Sequence, residues 1–179
     1  MKNMRRTQHL AIFSSLLLLG VTAPPSNLEK KLRPLVLDNF SVQTYEIEEV
    51  KGPDATRVNL PNSFRLSNLY KIESSSKPIG FVYVGQGPSK TDVYDFAILF
   101  DTNLMVKSVK VLQYREDYGG EIASKRWLKQ FNGSAADSEF VVGKNIAAIS
   151  GATISVRSMT EMVNLVLKAV NVLKLNDIL

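Results

Sequence analysis

The chain predicts an α+β domain: an antiparallel sheet with helices packed on one face, single, after an N-terminal signal or anchor segment. Three observations predict it. Apolar side chains alternate through Tyr94, Phe96, Ile98 and Phe100, the period of a strand with one buried side. A turn at Asp101-Thr102-Asn103 and the returning residues 105–114 complete an antiparallel hairpin. Val156, Met159, Val163, Val166, Leu167 and Val170 then recur at helical spacing and mark the core face of a last helix. Strands grouped ahead of helices, rather than alternating with them, give α+β.

Residues 1–23 read as an export signal. Lys2, Arg5 and Arg6 precede the apolar run 10–19, and Gly20-Val21-Thr22-Ala23 offers small residues to a signal peptidase. A retained membrane anchor is the alternative, since Pro24-Pro25 hinders cleavage after Ala23, although a usual span needs about 20 apolar residues. Either way the bulk of the chain is expected outside the cytoplasm, periplasmic or on the outer side of the cytoplasmic membrane, with membrane association through residues 1–23. Residues 24–77 read as an N-terminal extension packed on the domain, and residues 78–179 as the domain itself.

Within the extension, Leu28, Leu32, Leu35 and Val36 have helical spacing, and Pro34 predicts a kink or stop near Arg33. Residues 42–50 alternate in part, Gly52-Pro53-Asp54 marks a turn and Ser74-Ser75-Ser76 a loop. Residues 79–84 read as a strand and Gly85-Gln86-Gly87-Pro88 as the turn after it. Ile122, Trp127, Leu128 and Phe131 give a helix over 122–131, with Trp127 in the core. Gly143-Lys144 is a turn and residues 146–149 a short strand.

Composition excludes much chemistry. With 179 residues the chain is long enough for one proper core. It has no cysteine, which removes disulfides, thiolate metal sites and Cys nucleophiles. The one histidine is His9, so residues 24–179 lack Ser-His-Asp catalysis and His-ligated metals. Three of the 22 cations lie in the first 23 residues, leaving 19 against 17 acids. They are scattered, so no nucleic-acid partner is expected. No catalytic acid–base pair and no metal loop is recognisable, and any redox work must come from a cofactor.

The run Ala147-Ala148-Ile149-Ser150-Gly151-Ala152-Thr153-Ile154-Ser155 stands at the entrance of the last helix. Helix N-termini carry unpaired N–H groups and the positive end of the dipole, so a phosphate can settle there. Gly151 lets backbone approach a ligand, and Ala152 adds little bulk. An ordinary turn with a Ser or Thr N-cap is the competing reading. Ser155 accordingly reads as phosphate ligand or as N-cap.

The run resembles the Ser-Gly-Ala-Thr flavinylation motif of FMN-binding domains. These occur in the sodium-translocating NADH:quinone oxidoreductase and in Rnf-type electron-transport complexes. The resemblance implies FMN as cofactor, attached by a phosphoester to Thr153, with Ser150, Gly151 and Ala152 shaping the turn. A second stretch, Glu116-Asp117-Tyr118-Gly119-Gly120-Glu121-Ile122, followed by Trp127 and Phe131-Asn132-Gly133, is similar to the family's Glu-Thr-Pro-Gly segment. It implies a loop of Glu116, Asp117, Tyr118, Gly119 and Gly120 against the isoalloxazine ring, and offers Trp127 a flavin contact as an alternative to the core. Glu121 reads as a first-turn acid. Lys125 and Arg126 read as a solvated face or a dock for an acidic redox partner.

The resemblance covers about residues 78–170, and two positions depart from it. Ala147 replaces the Asp that the family's flavin transferase reads, and Asp117-Tyr118 replaces Thr-Pro. Three functions follow. The first is an exported electron carrier with FMN, served by a flavin transferase and by membrane or periplasmic redox partners. The second is a peripheral subunit of an ion-translocating membrane redox complex. The third is a non-redox binding module that keeps the fold without flavin.

Overall fold

The computed structural model describes residues 26–51 and 58–179. Residues 1–23, read above as an export signal, and Gly52-Pro53-Asp54, where a turn is expected, lie outside the described residues. Five strands form one antiparallel sheet in chain order: β1 Glu46–Glu49, β2 Leu69–Ser74, β3 Lys77–Pro88, β4 Val93–Phe100 and β5 Val106–Gln113. Three helices accompany it: α1 Ser26–Phe40, the single turn α2 Lys125–Leu128 and the long α3 Thr153–Leu175.

The α+β class, the antiparallel sheet and the last helix are as the sequence predicts. The β4–β5 hairpin is also where residues 94–114 place it, closed by the Asp101 carboxylate, which accepts from the amides of Asn103 and Met105. The six-residue stripe of α3 is buried without exception. It packs on Tyr94, Phe96, Ile98 and Phe100 of β4, each buried aliphatic side chain contributing about 1.5–3 kcal/mol.

Helix α1 departs from the one-face arrangement. Leu32 and Val36 pack with Ile47, Tyr70, Ile72, Val82, Ala97 and Leu99 as a second core on the opposite face of the sheet. This explains why β4 is buried on both sides from Phe96 to Phe100. The kink or stop near Arg33 does not occur either, since α1 runs through Pro34 to Phe40. Burial of Leu32 and Val36 on either side of the proline outweighs the one backbone bond it removes.

The turn expected at Gly85-Gln86-Gly87-Pro88 is instead the second half of β3. Gly87 pairs with Tyr94 and Gly85 with Phe96, and those rings lie across the glycine backbone. A Cβ at Gly85 would stand 2.9 Å from the Phe96 ring, so the glycines make room for aromatics rather than for a bend. The real turn is Ser89–Asp92. β1 and β2, drawn from the stretch 24–77, are strands of the same sheet. Ser75 and Ser76, both at positive φ, close the β2–β3 hairpin.

Two further expectations fail locally. Residues 122–131 are three short turns, Gly120–Ala123, Lys125–Leu128 and Lys129–Phe131, rather than one helix. Residues 146–149 form only an isolated bridge, Ile146 to Val142, not a strand. In both places buried side chains, Ile122, Trp127, Phe131 and Ile146, fasten irregular backbone to the core of α3.

Candidate functional site

The approach to α3 is fixed from its neighbours. The indole N–H of Trp127 donates to the Ala147 carbonyl at 2.7 Å, and the Ala147 amide donates to Gln130 Oε1 at 2.7 Å. Trp127 is buried, edge-on to Phe131 with centroids 5.4 Å apart, so this side chain belongs to the core. The chain then turns at Gly151, φ +83°, where a Cβ would meet nothing within 4 Å. Glycine is required there by its dihedral, not by a close approach.

Ala152 is the N-cap of α3, and no side chain caps the helix. Its methyl is buried in the core, and its amide donates to the Ile149 carbonyl at 3.2 Å. Thr153 is therefore the first helical residue, exposed, and the amides of Thr153, Ile154 and Ser155 lack intrahelical acceptors. Ser155 is corrected as an N-cap: Ala152 holds that position, and Ser155 is the third residue of the helix and buried. Its Oγ stands 2.8 Å from the Tyr114 hydroxyl, whose proton goes to the Tyr118 carbonyl at 2.9 Å. The Ser155 proton thus points to Tyr114, and what Ser155 offers an anion is its backbone N–H. One turn on, Ser158 bonds Tyr94 at 2.9 Å, and the two tyrosine rings stack with centroids 6.1 Å apart. Burial raises the Tyr94 phenol above its ordinary pKa, against the opposing bond from Ser158. Two Tyr–Ser pairs, at 155 and 158, thereby pin the first turns of α3 to β4 and to the end of β5.

Past Tyr114 the loop folds back over the helix entrance. Arg115 bonds the Val93 carbonyl at 2.9 Å and the Asp95 carboxylate at 2.8 Å. Burial would raise the Asp95 carboxyl, but Arg115, Gln86 and Lys31 together hold it below the usual range. Gly119, φ +83°, passes so close that a Cβ would stand 2.7 Å from Tyr114 Oη and 3.0 Å from Ser155 Oγ. Glu116 Oε1 accepts from Ser89 Oγ and from the amides of Thr91 and Asp92 at 2.6–2.8 Å. The Ser89 hydroxyl bond, then those amides, hold its carboxyl down to about 2.

The two segments singled out in the sequence meet. Glu116, Tyr118 and Gly119 line one cleft of about 260 Å³ with Gly151, Ala152, Thr153, Ile154 and Ser155, and Lys90 closes its edge. Tyr118, 83% exposed, and Ile154, 52% exposed, are large apolar side chains left open to solvent at this cleft. Ser150, Asp117 and Gly120 do not line it: the first two are exposed, and Gly120 lies against the Tyr114 ring. Glu121 sits in the first turn of the 120–123 segment, while Lys125, Arg126 and Arg157 are exposed. Larger concavities of about 330–440 Å³ lie away from both segments. Among the described residues, no group of three or more His, Cys, Asp or Glu side chains is placed to hold a metal.

Sequence reading misses Tyr114, Ser158 and Lys90. The first two carry a signal: Ser155 and Ser158 interrupt an otherwise apolar helix face, and buried hydroxyls need partners. Lys90 carries none, because Gly85 and Gly87 draw the expected turn upstream of it.

Residues 91–168 match the model of the FMN-binding domain family. Over those residues the chain is similar to an FMN-binding domain. No curated protein matches the chain. Four chains of solved structures do. One, the crystal structure of Shewanella oneidensis NqrC, shares 13% identity at a TM-score of 0.55, covering 81% of this chain and 94% of that one. At that identity the likeness speaks to the fold. The family indicates FMN as cofactor, and the α3 entrance suits it: uncapped amides for a phosphate, with Tyr118 and Ile154 exposed beside them.

Proposed function

We propose that this chain is an exported electron-transfer flavoprotein carrying FMN through a phosphoester at the Thr153 hydroxyl. One observation supports it above the others: two segments more than thirty residues apart converge on a cleft whose floor is the uncapped start of α3, with Thr153 exposed at its first position. Bound FMN supplies one- and two-electron chemistry that side chains lacking Cys, and lacking His beyond residue 9, do not offer. The protein's own contribution is positional. Thr153 presents Oγ1, the amides of Thr153, Ile154 and Ser155 face an anion, and Gly151 sets the turn. The Ser155–Tyr114–Tyr118 chain holds helix and loop together so that the cleft keeps its width.

Ala147 stands where the family's transferase reads an Asp, yet its backbone is held on both sides by Trp127 and Gln130. The turn therefore keeps its shape without that carboxylate. Coexpression with a flavin transferase and intact-mass measurement test the assignment. Wild type is expected to gain one FMN adduct and Thr153→Ala none; an adduct on the variant, or unmodified protein from its native envelope, refutes it.

The NqrC-like fold favours a second reading, a peripheral subunit of a membrane redox complex. No helix among the described residues is long and apolar enough to cross a membrane, and in that reading residues 1–23 would serve as the anchor. Recovery in the soluble fraction without detergent would count against it. A colourless native protein would favour the non-redox module.

A further inference from the structure

The Ser89–Asp92 turn is held far more firmly than an exposed connection between two strands requires. A single oxygen, Glu116 Oε1, accepts from Ser89 Oγ at 2.7 Å, the Thr91 amide at 2.6 Å, Thr91 Oγ1 at 3.2 Å and the Asp92 amide at 2.8 Å. Ser89 closes the turn on itself through its amide, which donates to the Asp92 carbonyl at 2.8 Å, while its hydroxyl proton goes to Glu116. These bonds reach 24 to 27 residues along the chain, so they tie the turn to the loop after β5 rather than merely shaping it. Lys90 is the one residue of the turn that the clamp leaves out. It is exposed and, among the described residues, it is the only cation lining the cleft with Thr153. Among those residues it also forms no ion pair. The acid in the cleft, Glu116, has its charge met by four donors.

We propose that Lys90 is a cofactor-facing cation that favours the reduced form of the flavin in this cleft, and that Glu116 is the positioning residue that holds the Lys90 turn over it. The inference rests on the cofactor reading above. Two electrons and one proton, taken from an external reductant, leave the neutral oxidised ring with one negative charge. An ammonium in the same cleft stabilises that product over the starting form, and so raises the midpoint potential. A rigid turn matters because a lysine on a loose one would average its charge into solvent. The carboxylate of Glu116, already surrounded by hydrogen-bond donors, opposes the effect only weakly.

Spectroelectrochemical titration of the flavin-loaded full chain tests this, on wild type, Lys90→Gln, Lys90→Arg and Glu116→Gln. Lys90→Gln is expected to lower the reduced-to-oxidised ratio at fixed potential about two- to fivefold, the range of one exposed charge contact. The difference should shrink at ~1 M salt. Lys90→Arg should keep the wild-type potential. Glu116→Gln should shift in the same direction as Lys90→Gln and add little to it in the double variant. Equal potentials for wild type and Lys90→Gln at low salt overturn the inference, as does an equal shift in Lys90→Arg. The two lysine variants leave the clamp intact, so they decide the matter even if Glu116→Gln folds poorly. Flavin content, read by absorbance and mass, separates the failures: a flavin-free wild type overturns the cofactor reading and this inference together, whereas flavin-loaded variants without a shift overturn the inference alone.

Discussion

Replacing Tyr114 by Phe removes one oxygen atom and two hydrogen bonds while leaving the ring stacked on Tyr94. The bonds lost are those to Ser155 Oγ at 2.8 Å and to the Tyr118 carbonyl at 2.9 Å. The carbonyl lies on an exposed residue and can turn to water, so its loss is small. Ser155 is only 3% exposed, and its hydroxyl would be left buried without an acceptor. That penalty, about 1–3 kcal/mol, dominates. At roughly 2–4 °C per kcal/mol for a domain of this size, Tyr114→Phe should lower the melting temperature by about 2–12 °C. Ser155→Ala removes the same bond from the other side and buries a methyl where a hydroxyl was. The double variant leaves no orphan, so it should cost less than the two single changes added together. A thermal or denaturant double-mutant cycle measures the coupling, expected at about 1 kcal/mol or more. A coupling indistinguishable from zero would refute the claim that Tyr114 holds α3 through Ser155. Flavin incorporation should fall in Tyr114→Phe, because the loop over the helix entrance loses its fastening.

Two further outcomes follow from the same geometry. The Glu116 carboxyl, about 2 in the folded chain against an ordinary 4.5, is depressed, so its stabilising effect is complete above 4.5 and disappears as pH falls from there towards 2. Denaturant titrations across that window should show wild type losing stability more steeply than Glu116→Gln; parallel slopes would mean that the clamp does not form. Gly151→Ala should cost about 1–2 kcal/mol through its left-handed dihedral alone, and Gly151→Asn less, since no neighbour contests the side chain. If circular dichroism melts show alanine harmless there, the turn does not require φ near +83°.

Much of the site was legible because its chemistry is local. Thr153 reads as a helix start from the apolar period that begins at Val156, and Gly151 as the turn before it. The pairing of the 116–120 stretch with that turn came from a resemblance, and the cleft brings Glu116, Tyr118 and Gly119 to it. What periodicity misjudged has a common cause. Gly85 and Gly87 carry the local marks of a turn, but rings projecting from the neighbouring strand override them. Pro34 carries the mark of a helix end, but two buried side chains on either side override it. The continuous run from Phe96 to Phe100 did carry the signal of a strand covered on both faces, and so of α1 on the far side.

The amino-acid order alone determined the elements whose driving force lies within themselves: the β4–β5 hairpin, the apolar stripe of α3, the glycine-set turn before Thr153, and the absence of side chains able to do redox work unaided. Tertiary structure decided everything that depends on which groups meet. It placed Tyr114 on Ser155 rather than in solvent, made Ala152 the uncapped start of the helix, and used the Glu116 carboxylate to fix the turn that carries Lys90. The physical reason is that a hydrogen bond or a charge contact acts over a few ångströms of space, whatever number of residues separates its partners along the chain.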